Sequence, residues 1–496
     1  MKKYLPIIAI LSLVKLCIHL IGNRNYGFHR DELLHLSVSL HLDWGYMEFP
    51  PFIAWIGKLA YVIFGYSLSG VRIFPTLAGI TILVLCCLMA KELGGKSKSV
   101  MLAGVSVLMF LPYFRNHCLF QPVAFDQLFW TMGFYFLLRY VNTQNNKYLV
   151  FLGITAGFGL MNKYTFLIWG IGIVAGLLFY EKGKLFRNKW LYVSGLVAFL
   201  IFVPNIIWQV NHHFPILMHL EALKKSQLDE IGPYDFLLDQ LSLPLTFVLA
   251  LIGLLAFFFD QNLKKHKSFG VAVLVIFAVM WITQSKSYYF FAAYPILFAA
   301  GAVKIEKFFQ NKPNWNYAVM AVLILPKVYY IPKLIPVLPI EDFVRYEHLR
   351  PDNSGHIELT GDYADMFGWN EQVKLVDSIY KSLPTKDKAN CIIFAGNYGE
   401  AGAIEILGKP YNLPDPVCAN GSFWLWGTGN TNGETCITIG VEKGVVEHLF
   451  EECRLVKIIT HKYAIDEENN IPVYICHMPK VDIRKIWPTL EKRVFE

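Results

Sequence analysis

The chain has 496 residues, of which 55% are hydrophobic, 15% aromatic and only 17% charged. A soluble domain carries about 25% charged residues, so this composition, with a mean hydropathy of +0.40 and repeated long apolar runs, excludes an ordinary soluble protein and indicates a polytopic membrane protein. The net charge of +7 does not indicate a nucleic-acid partner, because the basic residues cluster in short loops between apolar runs.

In chain order, the apolar runs predict about eleven membrane-spanning helices, at 5–22, 71–90, 99–113, 126–141, 148–161, 164–180, 190–209, 241–259, 269–284, 288–303 and 316–335. The first follows Met1-Lys2-Lys3 with no small-residue cleavage site before Asn23, and reads as a retained signal anchor. Lys and Arg alternate between the loops. One set of loops, including Lys2, Lys3, Lys96, Lys182, Lys265 and Lys307, carries 17 basic residues, and the opposite, longer set carries 8. The positive-inside rule makes the first set cytoplasmic. The loop at 23–70 and everything after about residue 336 then lie outside, which suits a bacterial inner membrane.

The first outer loop mixes aromatic residues, the acid Glu48 and the pair Pro50-Pro51. It predicts short helices lying in the interface, with the Pro pair ending one and starting the next. Residues 1–335 form the membrane domain. From 336 to 496 charged residues return, and Cys391–Ala395 and Cys436–Gly440 look like buried strands, with helices expected at Gly399–Leu407 and Glu442–Cys453. This predicts a small extracytoplasmic α/β domain with its own core. Five of the nine cysteines fall there without a CxxC spacing. A Cys418–Cys436 disulfide is compatible with an extracytoplasmic location, although an odd number leaves one cysteine over.

Chemistry is expected at the outer face. Asp31-Glu32 sits just beyond the first span, where a carboxylate must be hydrated, paired or bound to a cation. Under the same topology Glu48, Arg72, Asp126, Lys163 and Lys286 converge on that face, with Tyr288-Tyr289 following Lys286. Carboxylates beside separate cations suit attack by a hydroxyl on a substrate with a phosphate leaving group: a carboxylate takes the proton, and Lys or Arg holds the developing phosphate charge. Plainer roles stand beside these. Arg72 and Lys286 would serve as snorkelling anchors, Asp126 as a helix cap and Glu48 as an interfacial acid. His29, His35 and His41 recur every six residues, a spacing that favours packed or solvated rings over metal ligands. The turn Gly396–Ala403 is neither a P-loop nor a dinucleotide fingerprint, and Glu400 opposes an anion, so it reads as structural.

The stretch YGFHRDELLHLSVSLHLDWGYMEFPPFIAW resembles the first outer loop of the family 39-like (PMT_2 type) glycosyltransferases of the GT-C fold, which include protein O-mannosyltransferases and the aminoarabinose transferases that modify lipid A. The resemblance continues through VRIFPTLAG, FDQLFWTMGFYFLLRY, NKYTFLIWG and SKSYYFFAAYPILFAAGAV to DMFGW and IFAGNYGEAGAIE. It implies a membrane glycosyltransferase that moves a sugar from a polyprenyl-phosphate carrier to an extracytoplasmic glycan, lipid or protein acceptor, with inversion. Asp31 would be the catalytic base, Glu32 its acidic neighbour, Glu48 the acid of an FEKPP-like motif and Asp126 an acid of the second outer loop. Tyr288 and Tyr289 would be aromatic donor contacts. Phe49 stands where some members carry a phosphate-contacting Lys, which shifts that task to Arg72, Lys163 or Lys286. This chemistry requires no metal, although Asp31, Glu32, Glu48 and Asp126 are the oxygen ligands a Mg²⁺ or Ca²⁺ would want. The competing function is a multi-span transporter or lipid flippase. It expects midplane charges and two related halves, neither of which the sequence shows.

Overall fold

The computed structural model describes residues 2–229, 231–232, 234–429, 431 and 433–491. The side chains of 180–182, Lys182 among them, and the last five residues of the C-terminal region lie outside that description.

The membrane part is a bundle built in chain order from α1 (Leu5–Gly22), α2 (Arg30–Ser37), α3 (Phe52–Phe64), α4 (Leu68–Glu92), α5 (Ser97–Leu108), α6 (Pro112–Asn116), α7 (Pro122–Thr143), α8 (Lys147–Asn162), α9 (Phe166–Leu178) and α10 (Lys189–Asn211). It is completed by α11 (Pro215–Leu223), α12 (Asp235–Leu241), α13 (Pro244–Phe259), α14 (Lys267–Ile282), α15 (Tyr294–Phe308) and α16 (Trp315–Val328). Each of the eleven predicted runs overlaps one of these helices, but 99–113 runs past the end of α5 into α6, 288–303 begins in a 3-10 turn at Ser287–Ala293, and 316–335 runs past the end of α16. Among the described residues, five helical stretches are long and apolar enough to cross a membrane, or six if the bent pair α12–α13 counts as one span. The remainder are shorter, and the bundle is multi-pass.

Proline sets several helix starts. Pro122, Pro215 and Pro244 each occupy the first helical position, where the missing N–H costs nothing and the fixed φ suits the helix. The Pro50-Pro51 pair does half of what the sequence predicts. Pro51 precedes α3, but α2 has already ended at Ser37, and the intervening chain is held by turns such as Tyr46 N–H to Phe49 O at 3.1 Å.

The outer region carries a five-stranded mixed sheet in the order β2-β1-β3-β5-β4, with β1 Cys391–Ala395, β2 Pro416–Cys418, β3 Thr435–Ile439, β4 Phe450–Ile459 and β5 Ile471–Pro479. β1 runs parallel to β2 and β3, and β5 runs antiparallel to β3 and β4. Two expectations change here. The helix expected to reach Cys453 ends at Leu449, because the chain turns at Phe450 into β4. β4 is an edge strand, mostly exposed, so it lacks the apolar run by which β1 and β3 are recognised. The Cys418–Cys436 pairing fails on topology: β1 lies between their strands, and two strand spacings of about 4.8 Å exceed the roughly 7 Å reach of a disulfide. None of the nine cysteines is in a disulfide.

The outer region is fused to the bundle. Ile393 and Ala395 of β1 share one hydrophobic core with the membrane helices, whereas the alternate residues Ile392 and Phe394 face a separate outer cluster. The helix Tyr398–Leu407 crosses α2 closely. A Cβ on Gly402 would stand 2.8 Å from Leu33 Cβ, and one on Gly399 would stand 2.7 Å from Arg30 Cγ. The small residues of YGEAGA therefore bring the strand-turn-helix of the outer sheet onto the Asp31-Glu32 helix.

Candidate active site

α2 begins with a reciprocal cap. His29 Nδ1 accepts the Asp31 amide at 3.1 Å, and the Glu32 carboxylate reaches back to the His29 amide at 2.9 Å. Acids in a first turn are also favoured by the helix dipole. Successive residues on a helix point about 100° apart, so this local fold sends the two acids in different directions.

Glu32 points into the bundle and is fully buried. It accepts Arg72 Nε at 3.0 Å, Arg72 Nη2 at 2.7 Å and the Phe120 amide at 2.8 Å. Arg72 is equally buried and also donates to Gly27 O at 2.8 Å. These two residues bolt the first outer loop to α4 and to the chain before α7. Neither reaches an open site, and Arg72 is no snorkelling anchor.

Asp31 points toward the outer sheet and stays half-buried. Its Oδ2 accepts Gln121 Nε2 at 2.9 Å, and its Oδ1 accepts the Tyr398 hydroxyl at 3.0 Å. Gln121 in turn accepts Arg115 Nη1 at 3.1 Å, so its amide bridges that guanidinium to Asp31. Burial opposes ionisation of Asp31, but the His29 and His35 rings, the Tyr398 hydroxyl and Arg115 outweigh it, and the carboxyl titrates below its ordinary value. Asp31 is thus an ionised, oriented carboxylate with unused lone pairs.

A ring of charges surrounds it. Arg115 Nε donates to Asp362 at 2.6 Å, and His29 Nε2 lies 3.3 Å from Asp365 and 3.6 Å from Asp362. Desolvation pushes the Asp362 carboxyl up, but the His29 hydrogen bond and Arg115 hold it well below the usual carboxylate range. His35 donates Nδ1–H to Phe120 O at 3.0 Å and packs on Phe49, and burial lowers its pKa to about 4. His41 binds Glu405 at 2.7 Å and stacks on Trp426. The three histidines are packed and hydrogen-bonded.

The predicted cations divide. Lys163, at the C-terminal end of α8, holds its Nζ 4.0 Å from the Tyr289 ring centre and 5.4 Å from that of Tyr288. It also lies within electrostatic reach of Asp126. Asp126 is the fifth residue of α7, past the capping position, and accepts Thr165 Oγ1 at 2.9 Å and Trp130 Nε1 at 3.1 Å. Tyr288 lies within electrostatic reach of Arg115 and Asp31, and Lys163 packs on both tyrosine rings, which groups these five residues into one polar wall. Lys286 donates to Gln227 at 2.5 Å and, like Lys163, lies within electrostatic reach of Tyr289.

Glu48 is buried against the outer sheet region, where it accepts the Ser422 amide at 2.6 Å and pairs with the Ser422 hydroxyl. Burial raises its pKa to about 7. Its position is that of a fastener between the first loop and the outer region. The four acids expected as possible cation ligands therefore point to separate partners, and among the described residues no group of three His, Cys, Asp or Glu is arranged to hold a metal.

Arg115, Gln121 and Tyr398 are the site residues that sequence reasoning passed over. Arg115 had one available signal. In the sequence it lies between two apolar runs, as Lys163 does.

Residues 48–208 match the family model described as dolichyl-phosphate-mannose-protein mannosyltransferase (PMT_2). ArnT from Cupriavidus metallidurans, bound to undecaprenyl phosphate, superposes with a TM-score of 0.64 at 13% identity, covering 94% of this chain and 97% of that one. The chain shares the fold of ArnT, and its residues 48–208 resemble the PMT_2 family. At 13% identity the structural likeness is one of fold, and with 94% of this chain covered it extends to the outer region. The oligosaccharyltransferase of Archaeoglobus fulgidus, in complex with Zn and sulfate, gives a TM-score of 0.53 at 13% identity, covering 87% of this chain and 67% of that one. An uncharacterized protein of Aquifex aeolicus (strain VF5) is 23% identical over 313 residues, covering 59% of this chain. The match spans 61% of that relative's length.

Proposed function

We propose that the protein is an integral membrane glycosyltransferase that moves a sugar from a polyprenyl-phosphate-linked donor to an acceptor hydroxyl outside the cytoplasm, with inversion, and that Asp31 is its base. The observation that carries this reading is the contrast between two adjacent acids. Glu32 is saturated and sealed, whereas Asp31 is ionised, oriented from both sides and flanked by Arg115.

In this reading the acceptor oxygen attacks the anomeric carbon as the bond from that carbon to the carrier phosphate breaks. Asp31 takes the acceptor proton, and the phosphate leaves with the bonding electron pair. Arg115 and Lys163 stabilise the charge that develops on it. One displacement on the face opposite the leaving group inverts the centre. Bound undecaprenyl phosphate in the ArnT structure supports a lipid-phosphate carrier for this chain. The lysine-rich loops support a bacterial inner membrane with the site on the periplasmic side. The acceptor is a glycan, a lipid or a protein hydroxyl.

The test is transfer in proteoliposomes loaded with a radiolabelled polyprenyl-phosphate-sugar pool, comparing the wild type with Asp31→Asn. Label moving to a new product only with Asp31 intact supports the enzyme. Label crossing the bilayer without transfer makes the protein a flippase.

A further inference from the structure

The end of the bundle remote from Asp31 has its own architecture. α4 starts near Arg72 and ends at Glu92 after 25 residues, a run of about 37 Å. Around Glu92 lies a cavity of about 690 Å³ whose lining includes Lys3, Lys96, Lys265, Glu306 and Lys307. On the other side of the last turns of α15 is an apolar groove of about 520 Å³, lined by Val248 and Ile252 of α13, Ile305 and Phe308 of α15, and Val322 of α16. Phe309 lines both. Phe308 at 76% exposure and Val322 at 54% open the groove toward the surrounding hydrocarbon.

The acids in this region are already spent. Glu306 accepts the Lys96 amide at 2.7 Å, the Lys98 amide at 3.0 Å and the Ser99 hydroxyl at 2.8 Å, closing the start of α5. Glu92 pairs with Arg139 at 2.8 Å. Asp260 takes both Lys304 and Lys307, at 2.9 and 3.2 Å. Lys3, Lys96 and Lys265 are exposed, and no side-chain acceptor among the described residues pairs with their ammonium groups. Three uncompensated cations thus meet at the membrane surface where an apolar groove rises into the bundle. Cations that merely orient the protein need no such groove. An anionic head with an acyl tail matches both parts by charge and by polarity.

We propose that this end of the bundle is a binding site for an anionic glycerophospholipid, with the phosphate among Lys3, Lys96 and Lys265 and one acyl chain along the α13–α15–α16 groove. The site is separate from the Asp31 wall and does not depend on the transfer reaction.

Native mass spectrometry of the full-length protein in detergent, titrated with phosphatidylglycerol or with phosphatidylcholine of the same chains, tests it. Phosphatidylglycerol is expected to be retained roughly tenfold more tightly. The advantage should vanish in the triple variant Lys3→Gln, Lys96→Gln, Lys265→Gln, and retention should also fall in Val322→Trp, which fills the groove; unchanged melting temperatures exclude misfolding as the cause. Equal retention of both lipids, or no effect of the lysine triple, overturns the proposal. Displacement of phosphatidylglycerol by inorganic phosphate reduces the site to a plain anion site, and preferential retention of undecaprenyl phosphate reassigns it to the carrier. Either result overturns the glycerophospholipid assignment.

Discussion

The Tyr398 hydroxyl stands 3.0 Å from Asp31 Oδ1 and joins two residues 367 positions apart. Through this bond the outer region completes the surroundings of the proposed base. Removing the hydroxyl takes away one hydrogen bond to a charged group, worth about 1.5–3 kcal/mol, so Tyr398→Phe should lower kcat/KM by roughly tenfold or more. Because that bond helps hold the Asp31 pKa down, the acid limb of the pH–rate profile should move to higher pH. Asp31→Asn should cost roughly 10²–10⁴-fold. A Tyr398→Phe profile that drops without shifting would show that the tyrosine only supports the fold.

Arg72→Met should act on stability. It leaves the Glu32 carboxylate buried with its cation gone, and breaking one side of a buried pair costs about 3–5 kcal/mol. Replacing both residues by Met should recover only part of this, since the His29 and Phe120 amides then lose their acceptor. Thermal unfolding in detergent measures both variants. A lowered donor affinity with unchanged melting temperature in Arg72→Met would return Arg72 to the substrate site.

The two acids show where sequence reading stops. That Asp31-Glu32 matters is legible, since adjacent acids beside hydrocarbon need partners. Their division of labour is not, because it depends on Arg72, Gln121 and Tyr398, which the chain alone does not bring near. The membrane helices were readable because each is a continuous apolar run, whereas exposed β4 has none. In the Gly396–Ala403 turn Asn397 and Glu400 form a reciprocal helix cap, while Tyr398 between them reaches Asp31, a contact that the chain alone does not reveal.

Glu48 makes stability depend on pH with a definite sign. Its folded pKa is raised from 4.5 to about 7 by burial. Between these values the unfolded chain has lost the proton that the folded protein keeps, so stability falls as pH rises through that window. Glu468, raised to about 7 by burial, adds a slope of the same sign. The melting temperature of Glu48→Gln, relative to wild type, should therefore rise from about pH 5 to pH 7.5, whatever slope the buried histidines such as His35 add in both proteins. A slope unchanged in the variant would show that Glu48 is ionised in the folded protein.

Arg115 and Lys163 should share the donor phosphate. Charge-assisted contacts are worth about 1.5–3 kcal/mol, so Arg115→Gln and Lys163→Gln should each raise the donor KM roughly 10–100-fold and leave acceptor KM near its original value. Lys286→Gln is the comparison: Lys286 is held by Gln227 and reaches Tyr289 only electrostatically, so its loss should raise donor KM less. An effect of Lys286→Gln equal to that of Lys163→Gln would contradict this division.

Metal dependence follows from how the acids are spent. Glu32 is bound to Arg72, Glu48 to Ser422, and Asp126 to Thr165 and Trp130, so they do not converge with Asp31 on a common point. The phosphate charge has Arg115 and Lys163 within the same wall as Asp31. Transfer should therefore survive dialysis against a chelator, with Mg²⁺ or Ca²⁺ added back changing the rate by less than about twofold, since cation-assisted leaving-group stabilisation is worth several kcal/mol where it operates. A rate abolished by chelator and restored by one cation would require a ligand set that forms only with donor bound, with Asp31 its first candidate member and its role as base in question.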